Sequence, residues 1–262
     1  KILRIDPATG HGLPDNPHCD SDPTSPRSRI WVRGLRNPFR FCVQPKSGSL
    51  FIGDVGWNDW EEINVVSAGA GAGTAGGAGT NFGWPCREGF EATLDYPKLT
   101  PPASGCDTIG TPSNPGRWTD PLIAWHHARP SLSVPPGLVG TNAIGGAYYT
   151  GTSYPLAYRG ALFFADHVYG WIKVLRVDGA HELINLFDFA TQAGAPVDIV
   201  ADPVSGDLHY AAFYSGEIFR ITYDGPGVAD VDGNGGVGVD DLIAVILNWG
   251  ECWGGPPVCP AD

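Results

Sequence analysis

A pattern of short strands and turns repeats along most of the chain, and it limits the possible folds more than any other feature. Runs rich in β-branched and aromatic residues recur about every 8 to 14 residues, and each run ends in turn residues such as glycine, proline or aspartate. The same turn also recurs at matching places, because "VQPKSGSLFIGDV" aligns with "ADPVSGDLHYAAF". This spacing of short strands predicts an all-β protein.

The strands fall into three sets of four. The first set is "RIWVRGL", "FRFCVQP", "SLFIGDV" and "EEINVV", and the second is "LIAWHHA", "AIGGAYYTG", "GALFFADHV" and "WIKVLRV". The third is "HELINLFDF", "PVDIVADP", "DLHYAAF" and "EIFRITYDG". A four-stranded unit that repeats at about 50 residues is typical of a propeller blade. We therefore expect residues 1–223 to form about three four-stranded antiparallel blades of a β-propeller.

The composition changes near residue 224, which indicates a linker over residues 224–229 and a separate tail over residues 230–262. The tail contains a twelve-residue loop with the spacing of a calcium site, in which oxygen ligands stand at positions 1, 3, 5 and 12 and glycine at position 6. One short amphipathic helix, "DLIAVILNWG", follows the loop. The alternative is a solvated turn rich in aspartate and glycine. The expected ligands are Asp230, Asp232, Asn234, the carbonyl of Gly236, and Asp241.

The aspartate at the last loop position, followed by a single helix, resembles the dockerin type I repeat. A dockerin has two such repeats and this tail has one complete repeat, so we expect the tail to be truncated. The resemblance implies a cohesin-like or cell-surface protein as the partner of the tail.

Charge and hydropathy exclude some partners. Acidic residues outnumber basic ones 28 to 16, and the net charge of -12 argues against nucleic acid, because phosphate binding needs a basic surface. The same charge suits a protein that holds calcium. No apolar run reaches the length of about 18 residues that a transmembrane helix needs, so we expect no membrane span. The chain begins in a strand-like segment without methionine, and we expect its true N-terminus to lie upstream.

The cysteines predict an oxidising compartment, and therefore a secreted, extracellular or periplasmic protein. Their number is six, and they show no zinc-site spacing, which favours disulfides in an acidic, turn-rich chain. Six unrelated buried thiols are the alternative. Two pairs would close short loops and the third pair is what remains, so the expected bridges are Cys86–Cys106, Cys252–Cys259 and Cys19–Cys42.

Three phrases in order, "GLRNPFRF", "GDVGWNDWEEIN" and "NFGWP", resemble the glucose/sorbosone dehydrogenase family. The resemblance covers roughly residues 1–223 and matches the C-terminal half of the family's six-bladed propeller. It implies calcium and pyrroloquinoline quinone (PQQ) as cofactors. It also implies oxidation of a sugar C1 hydroxyl, with hydride transfer to the quinone.

The resemblance implies roles for individual residues. Arg36 and Asn37 match the pair that contacts the carboxylate and carbonyl oxygens of the quinone, which suits a guanidinium fork and an amide. An ion pair between Arg36 and a carboxylate such as Asp54 or Glu61 is the alternative. The carbonyls of Gly56 and Trp57 match those that hold the catalytic calcium.

A second, structural calcium site is implied at Glu62 and the carbonyl of Phe82. The alternative for Glu62 is an ordinary surface acid. Tryptophans such as Trp57 and Trp60 are more often packing residues than chemical ones.

The chain departs from the family pattern in two places. The family's base histidine lies in an early blade that this sequence does not include. His126 and His127 are candidates to line a pocket, and the favoured alternative is a structural role for one of them. The phrase "GAPVDIV" stands where the sugar oxidases carry arginines that face the cofactor. The alternatives to an enzyme are therefore a non-catalytic propeller that binds carbohydrate or protein, and a structural component of an extracellular assembly that is tethered by the tail.

Overall fold

A computed structural model describes residues 1–68, 77–93, 106, 118–127, 138–223 and 239, and its regular structure is almost entirely β. One short 3-10 turn, Leu156–Tyr158, lies among the strands. The strands are β1 (Ile2–Leu3), β2 (Ile30–Val32), β3 (Pro38–Val43), β4 (Leu50–Asp54), β5 (Trp60–Val66), β6 (Arg87–Glu88), β7 (Glu91–Ala92), β8 (Ile123–His126), β9 (Ala143–Tyr149), β10 (Ala161–Asp166), β11 (Trp171–Val177), β12 (Leu183–Ala190), β13 (Pro196–Ala201), β14 (Leu208–Ala212) and β15 (Glu217–Ile221).

Three antiparallel sheets dominate the described residues, with the strand orders β3-β4-β5-β8, β9-β10-β11-β12 and β13-β14-β15. Two-stranded ribbons form from β1 with β2 and from β6 with β7. Strands that are neighbours along the chain pair in each sheet, as a meander of short strands and tight turns favours. The expected all-β fold of antiparallel, blade-like sheets is confirmed.

The predicted grouping of strands is wrong by one strand at each boundary. "RIWVRGL" pairs with β1 and does not join the first sheet, which "LIAWHHA" completes as β8 instead. "HELINLFDF" likewise completes the second sheet as β12, and the third sheet has three strands among the described residues. The cause is the long segment between β5 and β8, because an outer strand that returns from a distant part of the chain leaves no local signal.

The first strands of the three sheets, β3, β9 and β13, lie beside one another. Glycines permit this close approach. A Cβ atom on Gly145 of β9 would overlap with the carbonyl oxygen of Arg40 on β3 and would crowd Gly53 on β4. The sheets therefore stand around a common edge formed by their first strands, as the blades of a propeller do.

The core fills the space between neighbouring sheets. Phe51, Trp125 and Phe164 are fully buried between the first and second sheets, and Tyr149 and Phe163 are fully buried between the second and third. Burial of each such side chain contributes about 1.5 to 3 kcal/mol to folding. Sheet-on-sheet packing therefore fixes the order of the blades.

The structure confirms the Cys86–Cys106 disulfide and contradicts the predicted Cys19–Cys42 pair, because both of those cysteines are free. Cys42 lies on β3 and packs against the core between the first two sheets, where burial raises its pKa to about 12. Cys19 lies in the loop before β2, where its N–H bonds to the Asn16 carbonyl. The predicted Cys252–Cys259 bridge, the linker and the calcium loop lie outside the described residues.

Candidate functional site

Equivalent hydrogen bonds gather three loop positions at one edge of the three sheets. In each sheet, the residue after the second strand donates its N–H to the carbonyl of the residue before the first strand. The donor–acceptor distances are 3.0 Å for Val55 to Asn37, 3.0 Å for His167 to Asn142, and 2.9 Å for Phe213 to Ala195.

All of these residues except Ala195 line a cavity of about 280 Å³ where the three sheets meet. Its polar groups are the side chains of Asn37, Asn142 and His167, and the rest of its described wall is apolar. The cavity therefore offers amides and an imidazole against aromatic and aliphatic walls. The lining residues are Asn37, Phe39, Val55, Asn142, Ile144, His167, Val197 and Phe213.

Two buried aspartates bind the backbone of the asparagines that line the cavity. Asp54 accepts the backbone N–H groups of Asn37 at 2.7 Å and Arg36 at 3.0 Å. Asp166 accepts the backbone N–H of Asn142 at 2.9 Å in the same way. Burial raises the pKa of both carboxyl groups, and their hydrogen bonds to N–H groups oppose that rise. Asp54 and Asp166 thus fix where the first strands of the two sheets begin.

Arg36, the residue before Asn37, donates its side chain to backbone carbonyls of the loop after β4. Its Nη1 donates to the carbonyl oxygens of Val55 at 3.0 Å and Gly56 at 2.6 Å, and its guanidinium carbon lies 5.8 Å from the centroid of the Trp84 ring. The bond to Asp54 comes from the backbone N–H of Arg36, so the guanidinium is engaged by carbonyls and not by the carboxylates that were the alternative. We call the oxygens of Val55 and Gly56 the carbonyl pair.

Glu88 lies on the other side of the same loop. Its Oε1 accepts N–H groups at distances between 2.5 and 3.2 Å from four consecutive residues, which are Trp57, Asn58, Asp59 and Trp60. Sequence reasoning missed Glu88, because a single acid in an irregular segment gives no local signal of its partners.

Glu62 is buried, so the alternative of a surface acid is wrong. It accepts the Gly89 N–H at 2.5 Å and the Asn64 side-chain amide at 2.9 Å, and it stands opposite Asp54 in the β4–β5 register. Burial and the neighbouring Asp54 charge raise its pKa. Phe82, the other expected member of the second calcium site, is buried in a separate cluster at the base of the first sheet.

The tryptophans and histidines have distinct places. Trp60 is buried and Trp57 is partly exposed beside Glu88. His127 bonds through Nε2 to Glu61 Oε1 at 2.7 Å, which is the expected structural role. His167 lines the cavity, and the only sequence signal for it is its place in the repeat, where it matches Val55.

The carbonyl pair fits a cation, because two backbone oxygens already converge on one charged nitrogen. In the part of the chain that the structure describes, no group of three or more carboxylate, histidine or cysteine side chains is arranged to bind a metal. A cation at this loop would therefore depend on backbone oxygens. The quinone fits only in part, since Asn37 lines the cavity next to Arg36 in the chain, while the third sheet contributes the apolar Val197 and Phe213.

The glucose/sorbosone dehydrogenase family model matches residues 1–211. A solved structure titled glucose dehydrogenase is 22% identical with a TM-score of 0.56, and the match covers 85% of this chain and 54% of that one. The apo-form of the soluble aldose sugar dehydrogenase from Escherichia coli is 20% identical with a TM-score of 0.52, covering 79% and 50%.

The PQQ-bound aldose sugar dehydrogenase from Streptomyces coelicolor is 20% identical with a TM-score of 0.50, covering 85% and 50%. The chain thus spans about half the length of the structures that it matches. Likeness at this identity shows the fold. Within the described ranges, no helix is long and apolar enough to cross a bilayer.

Proposed function

Because the chain belongs to the glucose/sorbosone dehydrogenase family, we propose that it forms part of a propeller that oxidises the C1 hydroxyl of an aldose. The observation that carries this proposal is that the Arg36 guanidinium bonds to the Gly56 carbonyl while the next residue, Asn37, lines the cavity. These are residues that the family resemblance assigns to the quinone and the calcium. PQQ-dependent relatives of the same fold support the same cofactor.

The chain's own residues would bind the quinone and orient it toward the sugar. The guanidinium of Arg36 suits a carboxylate, and the amide of Asn37 suits a carbonyl oxygen. The carbonyl pair would face a cation, and Asn142 and His167 would supply hydrogen-bonding groups to a polyol. When bound, the quinone with calcium supplies the hydride acceptor. The proton acceptor of the reaction belongs to blades that this chain does not include.

A second candidate function is the binding of a carbohydrate without turnover. Val197 and Phe213 favour it, because the third sheet places apolar side chains where a polyanionic quinone needs cations. Aromatic and aliphatic walls with a few amides suit a neutral sugar instead.

Absorbance titration of the quinone against the full chain, with and without calcium, tests the proposal. We expect a calcium-dependent spectral change that Arg36→Ala weakens at least about tenfold, since it removes a charged hydrogen-bond donor. Arg40→Ala is the matched control, because Arg40 faces the neighbouring groove and pairs with Asp198 at 3.4 Å. No spectral change at high quinone concentration would leave the binding function.

The proposal also covers the domain organisation, the location and the binding partner of the protein. We propose that residues 1–223 are the propeller part, that residues 224–229 are a linker and that residues 230–262 are a dockerin-like calcium-binding tail. The Cys86–Cys106 disulfide supports secretion or a periplasmic location, because such bridges persist in oxidising compartments. A cohesin-like or cell-surface protein would then bind the tail.

A further inference from the structure

We infer that Glu88 is a positioning residue that fixes the direction of the Gly56 carbonyl in the loop after β4, and so orients an oxygen that would bind a cation. The inference rests on the proposed function for the identity of the cation. The family resemblance assigns no role to Glu88, which lies about 30 residues further along the chain than the loop that it holds, with separations of 28 to 31 residues.

One peptide unit, between Gly56 and Trp57, connects Glu88 to Arg36. A trans peptide bond is planar, so its N–H and C=O groups point in opposite directions. The peptide that joins Gly56 to Trp57 donates its N–H to Glu88 at 2.5 Å and accepts from Arg36 at 2.6 Å through its carbonyl. This peptide is held between an anion on one side and a cation on the other.

Three further N–H groups converge on the same carboxylate oxygen, from Asn58, Asp59 and Trp60. Successive N–H groups that form such a concave cluster bind anions, and hydrogen bonds to a charged acceptor are roughly twice as strong as neutral ones. The side chain of Glu88 thus occupies the anion-binding side of the loop. The Gly56 carbonyl lies on the opposite side of its peptide and accepts from Arg36.

The segment around Glu88 is held in place independently of the loop. The N–H of Gly89 bonds to Glu62, and the Cα of Gly89 lies against the ring of Trp60, where a Cβ atom would overlap. The preceding residues include Cys86 of the disulfide and Arg87, whose guanidinium carbon lies 4.5 Å from the Trp118 ring centroid. The position of Glu88 is therefore fixed by its neighbours, independently of the loop that it binds.

Gly56 shows how closely the loop packs against Glu88. A Cβ atom at this position would overlap with the Trp60 carbonyl and would come too close to Glu88 Oε1. The loop is therefore tightened around the carboxylate, and this contact fixes the direction of the Gly56 carbonyl.

Calorimetric titration with calcium alone tests the role of Glu88. The full chain would carry Asp230→Ala, which removes the predicted tail site from the signal. Glu88→Gln keeps the reach of the side chain and loses its charge, while Glu88→Asp keeps the charge and loses the reach to four N–H groups. We expect each to weaken calcium binding about tenfold or more, as residues that orient metal ligands do.

Glu91→Gln is the matched control, because it removes an exposed carboxylate three residues further along the same segment. We expect it to bind calcium like the parent. Thermal unfolding of each variant shows whether the fold is intact, and Glu88→Asp keeps the test valid where Glu88→Gln does not fold.

The outcomes separate positioning from other roles. Weak binding in Glu88→Gln with parental binding in Glu88→Asp would mean simple attraction by charge and would overturn the inference. Parental binding in both variants, or no calcium binding by the parent, would also overturn it. Calcium binding that depends on Glu88, without any quinone response, would support the inference and contradict the proposed dehydrogenase.

Discussion

Buried carboxylates that accept backbone N–H groups organise the loops at the cavity. Asp54 and Asp166 occupy equivalent places at the ends of the second strands of two sheets, and each holds the residue before a first strand. Ala212 ends the second strand of the third sheet and cannot do the same. An acid in a sequence is expected on the surface by default, so the roles of these carboxylates become visible only from their partners.

Glu61 and His127 tie the first sheet to the start of the second. Glu61 is fully buried and accepts from His127 at 2.7 Å and from the N–H of Ala143 at 2.6 Å. Burial by itself lowers the pKa of His127, but the hydrogen bond and charge of Glu61 outweigh this effect, so the pKa lies above its usual value. The protonated form of His127 is therefore favoured by folding.

We expect His127→Ala to lower the free energy of unfolding by about 3 kcal/mol near pH 6, since it leaves a buried carboxylate without its partner. The stabilisation from a raised histidine pKa is complete below the unfolded value of about 6.5 and is lost as pH rises through the folded value. The difference between wild type and variant, measured by urea unfolding, therefore shrinks toward pH 9.

Glu61→Gln is the reciprocal variant, because it removes the charge and keeps the shape. In a double-mutant cycle the two changes should share one coupling energy and one pH dependence. A pH-independent difference for His127→Ala would contradict the charged pair.

At the scale of elements, strands can be predicted from their local pattern, but their neighbours cannot. The alternation and turn signals place the strands of all three sheets, yet β8 joins β5 across a long intervening segment. The Cys86–Cys106 bridge is predictable because it closes a short loop, whereas Cys19–Cys42 was assigned by elimination and is wrong.

The same limit applies to the candidate site. Arg36 and Asn37 belong to a recognisable motif, so the sequence by itself singles them out as candidates. Asn142, His167 and Glu88 belong to no such motif, because their contacts depend on how separate sheets and segments meet. Local sequence patterns therefore predict site residues that are neighbours at the end of one strand. The other site residues can be identified only from the folded structure.

The tail offers a test of an element that the sequence alone predicts. Carboxylates at Asp230, Asp232 and Asp241 would repel one another until a divalent cation enters the loop. The predicted helix is short, and short isolated helices are marginal in water. Metal binding is therefore expected to be coupled to folding of residues 230–250.

Circular dichroism of an isolated peptide of the tail, titrated with calcium, measures this coupling. We expect helix only after calcium is added, and we expect Asp230→Ala to abolish the gain. The variant should leave the strands of the propeller unchanged in the full chain. A helix already formed in chelator would contradict the calcium loop and leave a solvated acidic turn.

At the scale of the whole molecule, the last strand of the third sheet leaves an apolar side chain uncovered. On β15, Ile218 is 75% exposed. β15 is also an edge strand of a sheet that has three strands in the described part of the chain.

Uncovered apolar faces and unpaired strand edges favour association between molecules. The matched structures are about twice as long as this chain. We expect the chain, expressed by itself, to self-associate or to be unstable unless another polypeptide covers the edge at β15. Light scattering coupled to size-exclusion chromatography measures the molecular mass directly.

Paired lysine substitutions locate the association. Ile218→Lys puts a charge on the edge strand β15, where it would be desolvated by any partner, so we expect a shift toward monomer. Ile184→Lys is the matched control, because Ile184 is 50% exposed on β12, the outer strand of a different sheet. A stable, compact wild-type monomer, or equal effects of the two lysines, would show that the edge at β15 does not drive association.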